Sequence, residues 1–293
     1  VTFALANDEH DNLLALDRLR QALGSAGFEN VTFEYEPVAA AHAYEQRITQ
    51  DELVLVADFG GGTSDFTLME VGPGYRTRSA RDVIGTSGVA LGGDAFDRRI
   101  VQHVVAPYLG AGAHYTSSLG KRLPVPAWPF AHLERWHHLS FLRSPDTIEM
   151  LERIAATADP AGRIDALIDL IEDDCGLDLH RAVQATKQAL SSQDRATFTF
   201  RVGGITIDRA IAREDFNEWI AEELAAIAYA VDSLLTKTDV RPARVDRVFM
   251  TGGSSFVPAV RRLFVDRFGE DKVAGGDELT SVATGLALSA ARH

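Results

Sequence analysis

"VADFGGGTSDFTLMEV", residues 56–71, sets Gly60, Gly61 and Gly62 between two aspartates at the end of an apolar run. Glycine weakens a strand interior, so a strand that breaks into a triplet and resumes at once needs a physical reason. Phosphate groups supply one. They need several backbone N–H donors converging on a small volume, and a glycine-rich turn offers these without side chains in the way. A following hydroxyl adds a donor, and nearby carboxylates can hold a divalent cation, for magnesium mostly through water. Asp58, the glycines, Thr63 and Asp65 bring these parts together within eight residues. Taken alone, the motif also suits a tight hairpin turn with incidental charges.

Outward from this point the chain reads as α/β. "VTFALA" (1–6) alternates like a strand, and "NLLALDRLRQALGSAGF" has helical spacing at Leu13, Leu16, Leu19 and Leu23. "VTFEYEP" (31–37) reads as a second strand and "PVAAAHAYEQR" as a helix with Pro37 near its first turn. "LVLVADF" and "DFTLMEV" form a glycine-jointed antiparallel hairpin, and the "GPG" turn at 72–74 leads to a third strand ending in "RDVI". "LGGDAFDRRIVQHVVAPYL" opens a helix at two glycines. Farther on come a hairpin, "TFTFRV" and "ITIDRAI", and a long helix from about Glu214 to Leu235 with its Leu/Ala stripe toward the core. "VDRVFMTGG" is a second strand running into glycines, followed by two helices.

Composition bounds the function. At 293 residues there is ample chain for one large or two smaller domains. A net charge of −13 argues against a general nucleic-acid or anionic-membrane surface. No apolar stretch approaches a transmembrane length. The lone Cys175 excludes an internal disulfide, suits a cytoplasmic setting and reads as structural or inert. The opening residues lack a basic segment and an initiator Met, which points to a piece of a longer chain rather than a signal peptide.

The glycine stretch closely resembles the second phosphate-binding motif of the 70-kDa heat-shock chaperone (DnaK-like) family, within the actin, hexokinase and chaperone ATPase superfamily. The resemblance extends in the family's order: "YEPVAAAHAY" (35–44) resembles its connecting helix, "LGGDAFD" (91–97) its Leu-Gly-Gly-Glu-Asp-Phe-Asp, "AVQATKQALSS" (182–192) the helix beside the adenosine, and "VFMTGGSSFVPAV" (248–260) its adenosine motif. This resemblance implies an actin-like ATPase (ribonuclease H-like) lobe with a mixed sheet, a helical and hairpin subdomain, and a remnant of the first lobe. The expected division is 1–52 for that remnant, 53–106 and 221–293 for the lobe II core, and 107–220 for the inserted subdomain. It also implies ATP or ADP and Mg²⁺ as ligands, and protein clients or co-chaperones as partners.

Carried over residue by residue, Gly60, Gly61, Gly62 and Thr63 would contact the terminal phosphates, and Asp58 and Asp65 would organise the metal. Glu36 would orient the attacking water or couple hydrolysis to lobe motion. Gly93, Gly252, Gly253 and Ser254 would line the nucleotide cleft, Lys187 and Ser191 would face the adenosine, and Phe256 would stack on adenine in place of the family's usual Arg. The expected reaction is in-line attack of water on the γ-phosphate, gated by lobe closure.

Departures from the family shape further expectations. No first phosphate loop is recognised, so the chain alone is expected to bind nucleotide weakly, if at all, and to be inactive beside intact family members in ATP hydrolysis. Gln184 and Gln188 stand where the family commonly has Glu and Arg, which puts base selectivity in question. Segment 110–180 lies outside the resemblance and suggests a YegD-like branch. Its His132, His137 and His138 invite a metal reading, but the spacing of the last two turns their rings to different faces, and a packed or solvated helix is expected. Other readings are a filament-forming bacterial actin homologue, a sugar kinase of the superfamily, and a non-hydrolysing nucleotide-sensing scaffold. "TGGSSFVP" and Asp65 argue against the filament protein, and the triple glycine against the kinase.

Overall fold

A computed structural model of the chain describes residues 9–34, 38–39, 44–45, 48–75, 83–274 and 281–290. The chain divides into two compact units, residues 1–93 with 223–293 and residues 94–222. The divisions fall at the start of one helix and in the first turn of another.

The first unit is built on a five-stranded mixed sheet with β1 (Glu52–Phe59) at its centre. β2 (Ser64–Val71) pairs antiparallel with β1, and β3 (Val83–Val89) antiparallel with β2. On the other side β9 (Arg247–Thr251) lies parallel to β1, and the short β10 (Val273–Ala274) parallel to β9. Leu53–Phe59 are buried throughout, as a continuous apolar run requires when both faces of a sheet are covered. The period of two sorts the contacts. Val54 and Val56, with Met69, Val71 and Phe249, meet Val38, Tyr44 and Ile48 on one face. Phe59 and Phe66 meet Phe264 on the other, with ring centroids 5.9–6.2 Å apart. Phe264 belongs to α9 (Pro258–Phe268), which a bidentate Arg267–Asp232 pair (2.8 and 2.6 Å) ties to α8 (Ala221–Lys237).

The described parts of the connecting segment, 38–39 and 44–45, are helical, and the Tyr44 hydroxyl donates to Glu52 at 2.6 Å. α10 (Ser281–Ala290) approaches it so closely that a Cβ on Gly285 would fall on the Ala39 backbone. α1 (Glu9–Ser25) forms where helical spacing placed it. Residues 1–6 lie outside the described residues. Val31–Glu34, expected as a strand, carry none: alternation chooses the face a strand would bury, but a strand also needs a partner edge.

The second unit opens with α2 (Gly93–Ile100), which continues through a wide turn at Val101–Val105 and a tight one at Ala106–Leu109. A small sheet follows, in the order β5 (Arg122–Pro124), β4 (His114–Thr116), β6 (Ala158–Asp159). Around it are α3 (Trp128–Leu133), a 3-10 segment at Trp136–Arg143, α4 (Pro145–Ala155) and α5 (Arg163–Glu172). Then come α6 (Gly176–Ser192), the hairpin of β7 (Arg195–Val202) and β8 (Ile205–Ala212), and α7 (Arg213–Trp219). β7 alternates strictly, with Ala196, Phe198, Phe200 and Val202 buried. The single helix expected over 214–235 is two helices, broken at Ile220, where ψ opens to 8°. Phe216 is buried edge-on against Phe96 in the second unit, while Ile227, Ala230, Val231, Leu234 and Leu235 form the buried stripe of α8 in the first.

Candidate nucleotide phosphate site

β1 and β9 are parallel, so the glycines that follow each lie at the same edge of the sheet, the carboxyl edge where open α/β sheets receive ligands. Asp58, next to last in β1, stands opposite Asp65 on β2 and beside Thr251 on β9. All three are buried. The Gly60 N–H donates to the Thr63 carbonyl at 2.9 Å, which closes the turn and leaves Gly60, Gly61 and Gly62 exposed at its tip. The Thr63 hydroxyl donates to Asp65 Oδ2 at 3.0 Å.

Two further glycine segments lie against this turn. The Gly93 N–H donates to the Gly60 carbonyl at 3.0 Å, and the Ser64 hydroxyl donates to the Leu91 carbonyl at 2.6 Å. A Cβ on Gly92 would stand 2.5 Å from the carbonyl oxygens of Gly60 and Gly61, so only glycine lets the 91–93 turn lie there. Gly252 has φ +84° and ψ 162°, a region reserved for glycine, and a Cβ there would meet the Phe59 backbone. By contrast, nothing lies within 4 Å of where a Cβ would stand on Gly62 or Gly253. Segments at 60–63, 91–93 and 252–253, far apart in sequence, thus converge. Some glycines are fixed by close backbone packing, and others face open space.

Beyond Gly252 the chain makes a tight turn, Gly253–Phe256, held by the Ser255 hydroxyl donating to the Gly252 carbonyl at 2.6 Å. Ser254 is buried, whereas Phe256 is 48% exposed. Glu36 lies outside the described residues. In the second unit Lys187 and Ser191 share a face of α6 with the exposed Gln184 and Gln188. The Ser191 hydroxyl donates to the Lys187 carbonyl at 3.1 Å. The Lys187 ammonium is 2.8 Å from Asp97 Oδ1, in a pair whose side chains are 17% and 5% exposed. Burial pushes the Asp97 carboxyl up despite Lys187, the opposing influence. Asp97, Gly92, Ser64 and Thr251 escaped sequence reasoning; the signal for Asp97 was the closing Asp of "LGGDAFD".

The donor set bears on a metal. Among the described residues no three His, Cys, Asp or Glu side chains group as a metal site. Asp58 and Asp65 are a facing pair of carboxylates, which fits Mg²⁺, an ion that keeps several waters and completes its shell with substrate phosphates. No helix among the described residues is long and apolar enough to cross a membrane.

A family model described as Hsp70 protein matches residues 17–112 and 161–293. The chain belongs to the Hsp70 family. Relatives of this Hsp70 chain include the chaperone protein DnaK of Thermosipho africanus, 26% identical over 268 residues, which covers 91% of this chain and 36% of that protein. DnaK of Deinococcus deserti is 27% identical over 273 residues, 92% of this chain and 35% of the relative. DnaK of Cyanidium caldarium is 26% identical over 269 residues, 91% and 35% respectively. The chain therefore spans about a third of the length of the curated relatives it matches. The mixed sheet agrees with the expected actin-like lobe, and Hsp70 membership does not favour the filament or sugar-kinase readings. Between its two parts the family model leaves residues 113–160 unmatched, within the expected 110–180 segment.

Proposed function

We propose that this chain is the nucleotide-binding part of a DnaK-like chaperone ATPase, with ATP as substrate and ADP as product. The observation that carries this reading is the convergence of the 60–63, 91–93 and 252–253 segments on the carboxyl ends of β1 and β9, beside Asp58, Thr63 and Asp65. In this reading the Gly60–Gly62 tip, through the amides of Gly61 and Gly62, and the Thr63 hydroxyl receive the terminal phosphates, where fixed donors stabilise charge as it develops. Asp58 and Asp65 would hold Mg²⁺ through water, and the ion would supply charge neutralisation to the phosphates. Gly93, Gly252, Gly253 and Ser254 line the approach, and Phe256 offers its exposed face to adenine. Lys187 and Ser191 serve the adenosine, with Lys187 oriented by Asp97. Glu36 orients the attacking water or couples hydrolysis to closure of the lobes.

We assign 1–52 to the first lobe, 53–106 and 221–293 to the second, and 107–220 to its subdomain. The unmatched 113–160 segment supports a YegD-like branch, and the single cysteine supports a cytoplasmic setting. Protein clients and co-chaperones are the partners this reading implies. The test is phosphate release from ATP by the protein with and without Mg²⁺. Turnover should need the metal and fall at least about tenfold in Thr63→Ala, the scale of losing one positioned donor. Turnover unaffected by both changes would remove the assignment.

A further inference from the structure

Thr251 is the polar end of an apolar strand. Val248, Phe249 and Met250 precede it on β9, all buried, and Thr251 is itself only 2% exposed. A hydroxyl taken out of water at that depth costs free energy unless a neighbour accepts its hydrogen. The sheet register names the neighbour. Asp58 on β1 stands beside Thr251, while among the described residues β10 pairs with β9 only at Val248 and Phe249. Paired residues of adjacent strands point to the same face. Asp65, Asp58 and Thr251 therefore form one row across three strands, on the face where Val54, Val56 and Phe249 meet Val38. Beyond Asp65 the row ends at Gly88 on β3, which has no side chain. The two carboxylates are buried and stand opposite each other, so each gains from a donor that favours its charged form. Asp65 has one in the Thr63 hydroxyl, 3.0 Å from Oδ2. Thr251 occupies the corresponding place beside Asp58.

We propose that Thr251 is a positioning residue of this site: its hydroxyl donates to Asp58 and holds that carboxylate in the orientation that would receive the water shell of Mg²⁺. The inference rests on the reading of the Gly60–Thr63 turn as a nucleotide phosphate site. A carboxylate offers about four lone-pair sites on its two oxygens, so one accepted hydrogen bond fixes the group and leaves the others for water. Groups that hydrogen-bond a metal-binding carboxylate set its affinity without touching the ion. Thr63 and Thr251 thus divide the work, one for each carboxylate. Valine would fill the same space, continue the apolar run of β9 and suit a strand as well, so packing alone does not call for the hydroxyl.

The test titrates ADP into the protein by calorimetry at a series of Mg²⁺ concentrations and in EDTA, for wild type, Thr251→Val and Thr251→Ser. Valine keeps the shape and removes the hydroxyl; serine does the reverse. Half-maximal enhancement of ADP binding should need about tenfold more Mg²⁺ in Thr251→Val, the lower end of the usual cost because Asp58 reaches the ion through water. Affinity in EDTA should stay within about twofold of wild type, and Thr251→Ser should keep the wild-type requirement for Mg²⁺. Thr251→Ala against Thr251→Ser, which differ by one oxygen, makes the same comparison without valine. Equal Mg²⁺ requirements in the variants with and without the hydroxyl overturn the proposal. Asp58→Asn separates two failures. A requirement raised by Asp58→Asn but not by Thr251→Val overturns the role of Thr251 alone. ADP binding that is indifferent to Mg²⁺ in the wild-type protein overturns it together with the phosphate-site reading.

Discussion

Gly252→Ala puts one methyl group at the tightest backbone contact of the candidate site. Its φ of +84° with ψ 162° is a conformation that L side chains rarely adopt, at a cost of about 1–3 kcal/mol. The new Cβ would also fall against the carbonyl, C and N of Phe59, which are backbone atoms of the central strand. No side chain can swing aside, so relief requires the end of β1 to move. Overpacking of this kind costs a further 1–3 kcal/mol or so, and the combined loss should be about 3–4 kcal/mol. For a unit of this size each kcal/mol lowers the melting temperature by roughly 2–4 °C, so the first unit should melt about 6–16 °C lower. Gly253→Ala is the control, because nothing lies within 4 Å of its Cβ position; it should melt within about 2 °C of wild type. The assay is thermal unfolding by far-ultraviolet circular dichroism, with hydrogen exchange of residues 52–59 to localise the change. A Gly252→Ala protein as stable as Gly253→Ala would refute the packing argument.

Lys187→Met should destabilise the second unit by about 2–3 kcal/mol, below the usual range for orphaning a buried charge because Asp97 can take up a proton. The deficit should shrink as pH falls and the carboxyl is neutralised, and Asp97→Asn combined with Lys187→Met should recover most of it. Urea unfolding followed by tryptophan fluorescence reads this, since Trp128, Trp136 and Trp219 all lie in that unit; single losses that simply add would contradict the pairing. Cys175 should alkylate more slowly than glutathione at pH 8, because burial and then Asp173, Asp178, Asp174 and Asp169 push its thiol up. Faster labelling than glutathione would oppose that. Phe256→Ala should weaken ATP by about 1–2 kcal/mol, or five- to thirtyfold, and leave inorganic triphosphate unaffected. Equal weakening of both ligands would point to a damaged fold.

The hairpin of β1 and β2 was legible because an apolar run interrupted by glycines has few other solutions, and its register follows from the length of the Gly60–Thr63 turn. The stripe on α8 was legible from its spacing alone. The break at Ile220 was not, because the periodicity of 214–235 is continuous and carries no sign of it. Alternation at Val31–Glu34 suggested a strand, yet it carries no information about a partner edge. At the site, sequence reasoning found the glycines but not which of them are fixed by packing, since Gly92 and Gly252 are distinguished from Gly62 and Gly253 only by what lies nearby. The Asp97–Lys187 pair joins residues on two helices separated by most of the second unit's sequence, beyond the reach of local pattern.

The central claim is that the Gly60–Thr63 turn cradles nucleotide phosphates, and Gly62→Val tests it most directly. No atom lies within 4 Å of the Cβ position and the backbone is not left-handed there, so the fold should accept the substitution. A bound phosphate should not. Calorimetric titration of the protein with ATP and ADP in the presence of Mg²⁺ should give measurable binding for wild type. Gly62→Val should bind at least about tenfold more weakly, with its melting temperature within about 2 °C of wild type. Equal affinity in the two proteins, or a wild-type protein that binds neither nucleotide, would contradict the account.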